Sequence, residues 1–342
     1  MARTNNLTNF LTDVATAIKT KKGDDTPIPA SDFDTEIIDL PSGGGTHDWS
    51  AIGYSGEPSD IGYGYDYAVQ IKNNWTLNTN FNNDTNLIYM PLVNTTGRTN
   101  FGAMFNSCSS LTTVPQLDTS SGTTFNNMFS NCINLRSVPQ IDTSQGQYMS
   151  NMYSGCKNII IPIQVDISNA KQLNSLFMYC NKVPKITLIG SGNNLISLRN
   201  VFQDCEALTE LTMNNINTSN VTDFYCTFSN CKSLVTLPAI NMVKANTLTY
   251  FCNNINLENL GGFIDLGANY ETSQSANYNP YTLYLTEATK LTHTSLMNII
   301  NNLYDIATKG CNTQKLRIGN TNIAKLTAEE IAIATNKGWT VA

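Results

Sequence analysis

Charge is what this sequence has least of. Only 13% of its 342 residues are Asp, Glu, Lys or Arg, and the formal net charge is −6. Nucleic-acid backbones and anionic membrane surfaces are both gripped mainly by clustered Lys and Arg. The one basic run, from Lys19 to Lys22, is too short for that, so neither is an expected partner. No apolar run approaches the roughly 18 to 20 residues of a membrane span, so no membrane insertion is expected. The opening, MARTNNLTNF, also lacks the charged and apolar blocks of a secretory signal, which points to synthesis and residence in a cytosol. Histidine is scarcer still. His47 and His293 are the only two, neither lies in a hydroxyl or thiol motif, and no glycine-rich phosphate loop is present. Paired carboxylates of the kind that cleave glycosides leave no spacing to read. The expectation is a protein that is not an enzyme, with no catalytic residue, no cofactor and no metal.

Asn, Ser and Thr fill the space that charge leaves, and nine cysteines stand among them. Six of these recur in one frame, which reads MFNSCSSLTTVP from Met104, MFSNCINLRSVP from Met128 and MYSGCKNIIIP from Met152. It continues as LFMYCNKVPKI from Leu176, VFQDCEALTEL from Val201 and TFSNCKSLVTLP from Thr227. The thiols Cys108, Cys132, Cys156, Cys180, Cys205 and Cys231 are spaced 24, 24, 24, 25 and 26 residues apart. Two degenerate copies flank them, with Asp84 in FNNDTNLIYMP and Asn254 in FCNNINLENL at the thiol position. A recurrence of this period is the signature of a solenoid, here of about eight coils.

Disulfides, metal ligands, nucleophiles and packing elements are the roles open to such a column. Asp and Asn at its ends are poor replacements in a metal site or a disulfide ladder, but they suit a small buried group that meets loop backbone. Equivalent side chains of stacked coils lie roughly 5 Å apart, which meets the distance but not the dihedral of a disulfide. No CxxC pair exists, and Cys226, Cys252 and Cys311 fall outside the column. The column is therefore read as reduced, buried thiols. Inward positions are expected at offsets 0, 3, 6 and 9, as in Phe129, Cys132, Leu135 and Val138. Leu117 and Ile141 add a further one after the Pro, and a DTS turn then carries the chain round.

The stretch NTSNVTDFYCTFSNCKSLVTLP, residues 217–238, resembles the leucine-rich-type repeat of bacterial BspA-like surface proteins and their mycoplasmal relatives. The resemblance covers about residues 81–260, and the GSGNN stretch from Gly190 to Asn194 departs from it. It implies an α/β repeat fold, a right-handed leucine-rich-like solenoid with a short strand per coil, and a role in adhesion without catalytic residues.

Outside the repeat, residues 1–45 place Leu7, Phe10, Leu11, Val14 and Ile18 on one face of an amphipathic helix, with Gly23 as its stop. A second short helix through Ile37 and Ile38 and a linker at Gly43 to Gly45 follow. A lone helix of this length is marginal in water, so the stripe needs a partner: other virion proteins, further copies of the chain, or its own first coil. This module is similar to the N-terminal segment of tail and baseplate-associated proteins in phages of gut Firmicutes. That resemblance implies docking to a particle, with a homo-oligomer, such as a trimer, as the expected state. Residues 46–80 carry Trp49, Tyr54, Tyr63, Tyr65, Tyr67 and Trp75 among Gly, Ser and Asp. They are read as the N-terminal cap of the solenoid, a sugar-stacking cluster being the alternative.

The solenoid is assigned to residues 81–265, and an inserted loop with a C-terminal α/β cap to residues 266–342. In that block a helix starts at Thr292 or Thr294 with an apolar face of Leu296, Ile299, Ile300, Leu303 and Ile306, and Gly310 stands past its end. QKLRIG reads as a strand, and Thr327 with Glu330 as a capping box opening a last helix. This ending also looks like the usual C-terminus of bacterial and phage solenoids of this type. One outward row, Gln116, Gln140 and Gln164 with Thr113 and Ser137 one ridge away, is the candidate ligand contact, joined by Tyr270 and Tyr278 on the loop. Rows of this kind are also what any soluble solenoid shows. The resulting expectation is a non-enzymatic phage tail fibre or other virion appendage, made in the host cytoplasm, that reads a host cell-surface glycan or protein. A bacterial BspA-like adhesin and a head fibre or capsid decoration protein are the alternatives.

Overall fold

The structure, a computed structural model, describes residues 81–88, 95–213, 215–254, 256–269 and 283–342. The stripe from Leu7 to Ile18, the aromatic segment 46–80 and the loop tyrosines Tyr270 and Tyr278 lie outside the described residues.

Each coil begins as a run of tight turns rather than a strand. Met128 N bonds Phe125 O, Ser130 N bonds Asn127 O, Cys132 N bonds Phe129 O and Leu135 N bonds Cys132 O. Two residues of each run from Ala103 to Asn230 have positive φ, Asn127 and Asn131 in this coil, both 58°. Asn tolerates that region because its short side chain bonds locally, which accounts for the recurrent Asn, Ser and Gly there. The turns leave alternate N–H groups pointing along the stack, and the next coil receives them. Phe101 N, Ala103 N, Phe105 N and Ser107 N donate to Thr124, Asn126, Met128 and Ser130 at 2.7 to 2.8 Å. Parallel bridges join Asn100, Thr124, Tyr148, Gln172, Ser197, Asp223 and Thr247 in one ladder, so seven successive coils are in register. The described residues thus form a repeat solenoid.

Prolines punctuate the opposite side of the coils, where the strands form. Pro115 and Pro139 sit in mid-segment, where a missing N–H interrupts a ladder, and no strand forms there. One place or more earlier in the coil, Pro162 and Pro184 precede the strands β1 (Ile163–Asp166) and β2 (Lys185–Ile189). These pair in parallel with each other and with β3 (Glu210–Thr212). Pro238 then splits the next segment into β4 (Thr236–Leu237) and β5 (Ile240–Asn241). Their partners are β6 (Asn259–Leu260) and β7 (Phe263–Ile264). Gly261 faces this split because a Cβ there would stand 2.3 Å from Ala239 N.

The DTS turn is an Asx turn that repeats. Asp118, Asp142, Asp166, Asn217 and Asn241 each accept from the backbone N–H two residues on. Its threonine is buried and bonds the following coil, Thr143 Oγ1 donating to Asp166 O at 3.0 Å and accepting from Asp166 N at 2.8 Å.

After the last strands, helix α1 (His293–Asn301) takes over their hydrogen bonds. Ser295 Oγ donates to Glu258 O and accepts from Leu260 N, and Asn298 Nδ2 donates to Leu260 O. A sheet ordered β10, β9, β8 follows, from β8 (Leu283–Tyr284), β9 (Gln314–Arg317) and β10 (Trp339–Val341). The short α2 (Asn320–Ile323) and α3 (Ala328–Asn336) separate the last two strands, and Thr327 with Glu330 forms a capping box.

Three expectations are corrected. Helix α1 stops at Asn302 rather than running toward Gly310, because Leu303 leaves it to make a parallel bridge with Leu266. Gly310, φ 66°, ends a separate 3-10 turn at Ala307–Lys309 instead. Val138 is only half-buried, while the position after the Pro, Ile141, is fully inside. Finally, Phe251 is not the last member of the aromatic column. Phe105 N, Phe129 N and Phe202 N donate to Met128 O, Met152 O and Thr227 O, and Phe228 N donates to Phe251 O. Phe251 therefore continues the Met column, and Cys252 takes the place of the next ring.

Candidate functional site

The cysteine column and the outward polar rows are the two features that the repeat builds. Every thiol of the column is buried and free. Each donates to the carbonyl of the aromatic residue one coil earlier. Cys108 reaches Phe81 O, Cys132 Phe105 O and Cys156 Phe129 O, at 2.9 to 3.0 Å. Cys180 reaches Tyr153 O, Cys205 Phe177 O and Cys231 Phe202 O, at 3.1 to 3.2 Å. The same carbonyl also accepts the N–H of its own coil's cysteine, as Phe105 O does from Cys108 N at 3.1 Å. A carbonyl has two lone pairs, and the column uses both. Cysteine suits this place because it is a small apolar body with one weak donor.

At the ends of the column a side-chain oxygen does the turn's work. Asp84 Oδ1 accepts from Asn86 N and Leu87 N, and Asn254 Oδ1 accepts from Asn256 N. Burial pushes the Cys108 and Cys252 thiols up to about 12 and the enclosed thiols between them further. These groups stay protonated at neutral pH and are poor nucleophiles and poor ligands. Among the described residues no three His, Cys, Asp or Glu side chains gather into a set that could hold a metal ion.

Beside the thiols the rings of Phe81, Phe105, Phe129, Tyr153, Phe177, Phe202 and Phe228 stack with centroids 5.3 to 6.0 Å apart. That distance is the repeat of every row on the outside. Gln116, Gln140 and Gln164 are all exposed. Their amides are partly committed, since Gln116 Nε2 donates to Gln140 O at 3.0 Å and Gln140 Nε2 to Ile141 O at 3.4 Å. Thr113 Oγ1 and Ser137 Oγ meet at 3.4 Å across the same two coils. In β1 and β2, Gln164 aligns with Thr187, so the glutamine row ends there and threonine continues it. Further rungs join Asn106 to Asn82, Lys171 to Gln147, Lys182 to Asn158, Asn217 to Asn193 and Lys244 to Asn220. The structure thus brings Thr113, Gln116, Ser137 and Gln140 into one patch in which the glutamine amide donors are tied into the stack.

Frame reading alone passed over the two left-handed columns. Their signal was present in the recurrence of Ala, Asn, Ser, Gly and Asp two places before the Met column's neighbour and one place before the thiol.

Among the described residues no helix is long and apolar enough to cross a membrane. No curated protein matches the chain. Two solved chains do. One is a leucine-rich repeat protein from Bacteroides ovatus, 15% identical over 52% of this chain and 50% of that one, with a TM-score of 0.30, so the match spans about half its length. A family model described as "Mycoplasma protein of unknown function, DUF285" matches residues 70–189 and 191–258, more than half of the chain. The repeat that stacks rings and thiols in register is the part matched, and the chain belongs to the DUF285 family.

Proposed function

We propose that this chain is a non-enzymatic recognition protein whose repeat solenoid, of about eight coils closed by the C-terminal block, presents fixed polar rows to a cell surface. The observation that carries this reading is the regular tying of exposed side chains from coil to coil, as between Gln116 and Gln140. Such ties hold donors and acceptors at a constant spacing, so little side-chain entropy is left to lose when a repetitive partner binds. The partner in view is a cell-surface glycan or protein. Attachment runs through residues 1–45, which places the chain on the outside of a phage particle as a tail or other appendage, self-associated through the stripe from Leu7 to Ile18. A second reading, a bacterial surface adhesin, is favoured by the family description, which names a bacterial protein.

Immunogold electron microscopy with antibody to the full chain separates the two. Gold on particle appendages supports the first reading and gold on intact cell envelopes the second. Gold confined to the cell interior refutes both. Binding of the full chain to host cells should fall when Gln116 and Gln140 are both replaced by Ala. It should respond weakly to salt, since few charges take part. Unchanged binding by the folded double variant removes this row from the contact surface.

A further inference from the structure

One left-handed turn column runs through Ala103, Asn127, Asn151, Ser175, Asn200, Cys226 and Tyr250, with φ between 51° and 58° throughout. The first six are small or short-chained. The seventh is a tyrosine at φ 54°, and 58% of it is exposed. A bulky L-residue in this region crowds its Cβ against the following carbonyl, and an exposed ring gains little burial to offset that cost. Tyr250 is thus held in a costly conformation, and its ring sets one edge-to-face contact, with Tyr225, against that cost. Such outliers point to function when the surroundings maintain them.

The surroundings of Tyr250 are built from three successive coils. Tyr225 meets it edge to face, with centroids 6.3 Å apart and planes at 83°. The guanidinium of Arg199 lies 4.1 Å from the centre of the Tyr225 ring. Arg199 also donates to Asp223 Oδ2 at 3.2 Å, while Asp223 Oδ1 accepts from Tyr225 N at 2.9 Å. The arginine is therefore fixed by a ring and a carboxylate at once. Directly after it, Asn200 keeps its Oδ1 buried and unpaired, a second local cost that the fold does not repay.

We propose that this edge is a saccharide-binding platform, in which Tyr250 stacks on the C–H face of a pyranose while the Arg199 and Asp223 pair supplies a donor and an acceptor to neighbouring hydroxyls. The chemistry favours a neutral sugar. Asp223 balances the charge of Arg199, and Asp204, which also acts on Cys226 of this column, adds a second carboxylate, so the edge does not select an anion, and the exposed tyrosine offers a flat apolar face beside polar groups. Two tyrosines and an arginine fall far short of the about 800 Å² per partner that a stable protein interface takes. The platform lies on the turn edge, apart in sequence from the glutamine row. It rests on the recognition role proposed above and names the ligand class for it.

The test uses the full chain on an array of neutral pyranose oligosaccharides and, in parallel, on intact host cells. Wild type binds at least one oligosaccharide. Tyr250→Gly weakens that binding at least tenfold while raising the urea midpoint of unfolding, because glycine relieves the strained turn. Tyr250→Asn, the residue found at Asn127 and Asn151, gives the same loss, and Tyr250→Phe keeps the binding. Equal sugar binding by wild type and Tyr250→Gly overturns the platform and leaves the recognition role standing. So does a wild type that binds cells but no oligosaccharide. A wild type that binds neither overturns both.

Discussion

Raising the pH from 8 to 10 should strongly destabilise this protein, and its enclosed thiols set the size of the effect. Cys132, Cys156, Cys180, Cys205, Cys231 and Cys252 are fully enclosed, and burial raises all six from the ordinary thiol value of 9.0. In the folded chain they remain neutral, whereas in the unfolded chain they ionise above pH 9. The unfolded state then binds fewer protons, so stability falls as pH rises. Their contribution is complete below pH 9 and is lost between 9 and the raised values, about 12 for Cys252. One unit above its unfolded value a thiol that the fold keeps neutral costs on the order of 1 kcal/mol, so six cost several kcal/mol at pH 10. That is comparable to the whole stability of an ordinary domain, roughly 5 to 15 kcal/mol. Tyr153, buried and likewise raised from 10.0, adds a loss of the same sign. Urea titrations followed by circular dichroism at pH 8, 9 and 10, with a reductant present, read this out. The double variant Cys156→Ala, Cys205→Ala should be weaker at pH 8 but lose about a third of the pH slope. Equal stability at pH 8 and 10, or an unchanged slope in the double variant, refutes the reasoning.

Of the nine thiols only Cys311 is half-exposed, so an aromatic disulfide reagent should titrate about one thiol in the native protein and all nine after denaturation. Rapid native reaction at Cys132 or Cys156 contradicts the packing. Cys132→Ser should cost about 1 to 3 kcal/mol, by setting a more polar group in a packed site, as measured by the shift in urea midpoint. Tyr179 stands at φ 63° in the second left-handed column, where the preceding coil has Gly155, so Tyr179→Gly should stabilise the fold by about 1 kcal/mol. A lower midpoint would show that the ring packs usefully. Thr327→Ala removes the side-chain half of the α3 capping box, in which Glu330 N donates to Thr327 Oγ1, and should cost about 1 kcal/mol, read as a lower melting temperature.

Much of the inside of this protein was legible in its sequence. Packing repeats when a coil repeats, so the recurrence of ring, thiol and leucine identified the inward columns. The DTS motif marked a turn because Asp or Asn there bonds its own backbone two residues on. Both are local facts, and local facts survive being read one residue after another. What only the tertiary structure decided is pairing between coils. Phe251 belongs to the Met column because Phe228 N reaches its carbonyl, and no spacing within its own coil shows that. Helix α1 ends where Leu303 finds Leu266, although its apolar period runs on. The glutamine row was visible as a row, but the commitment of its amides to neighbouring carbonyls was not. Arg199, Tyr225 and Tyr250 lie 26 and 25 residues apart, and each is unremarked in its own segment. They meet because hydrogen bonding between coils brings their segments into register, and register depends on partners distant in the chain rather than on neighbours along it.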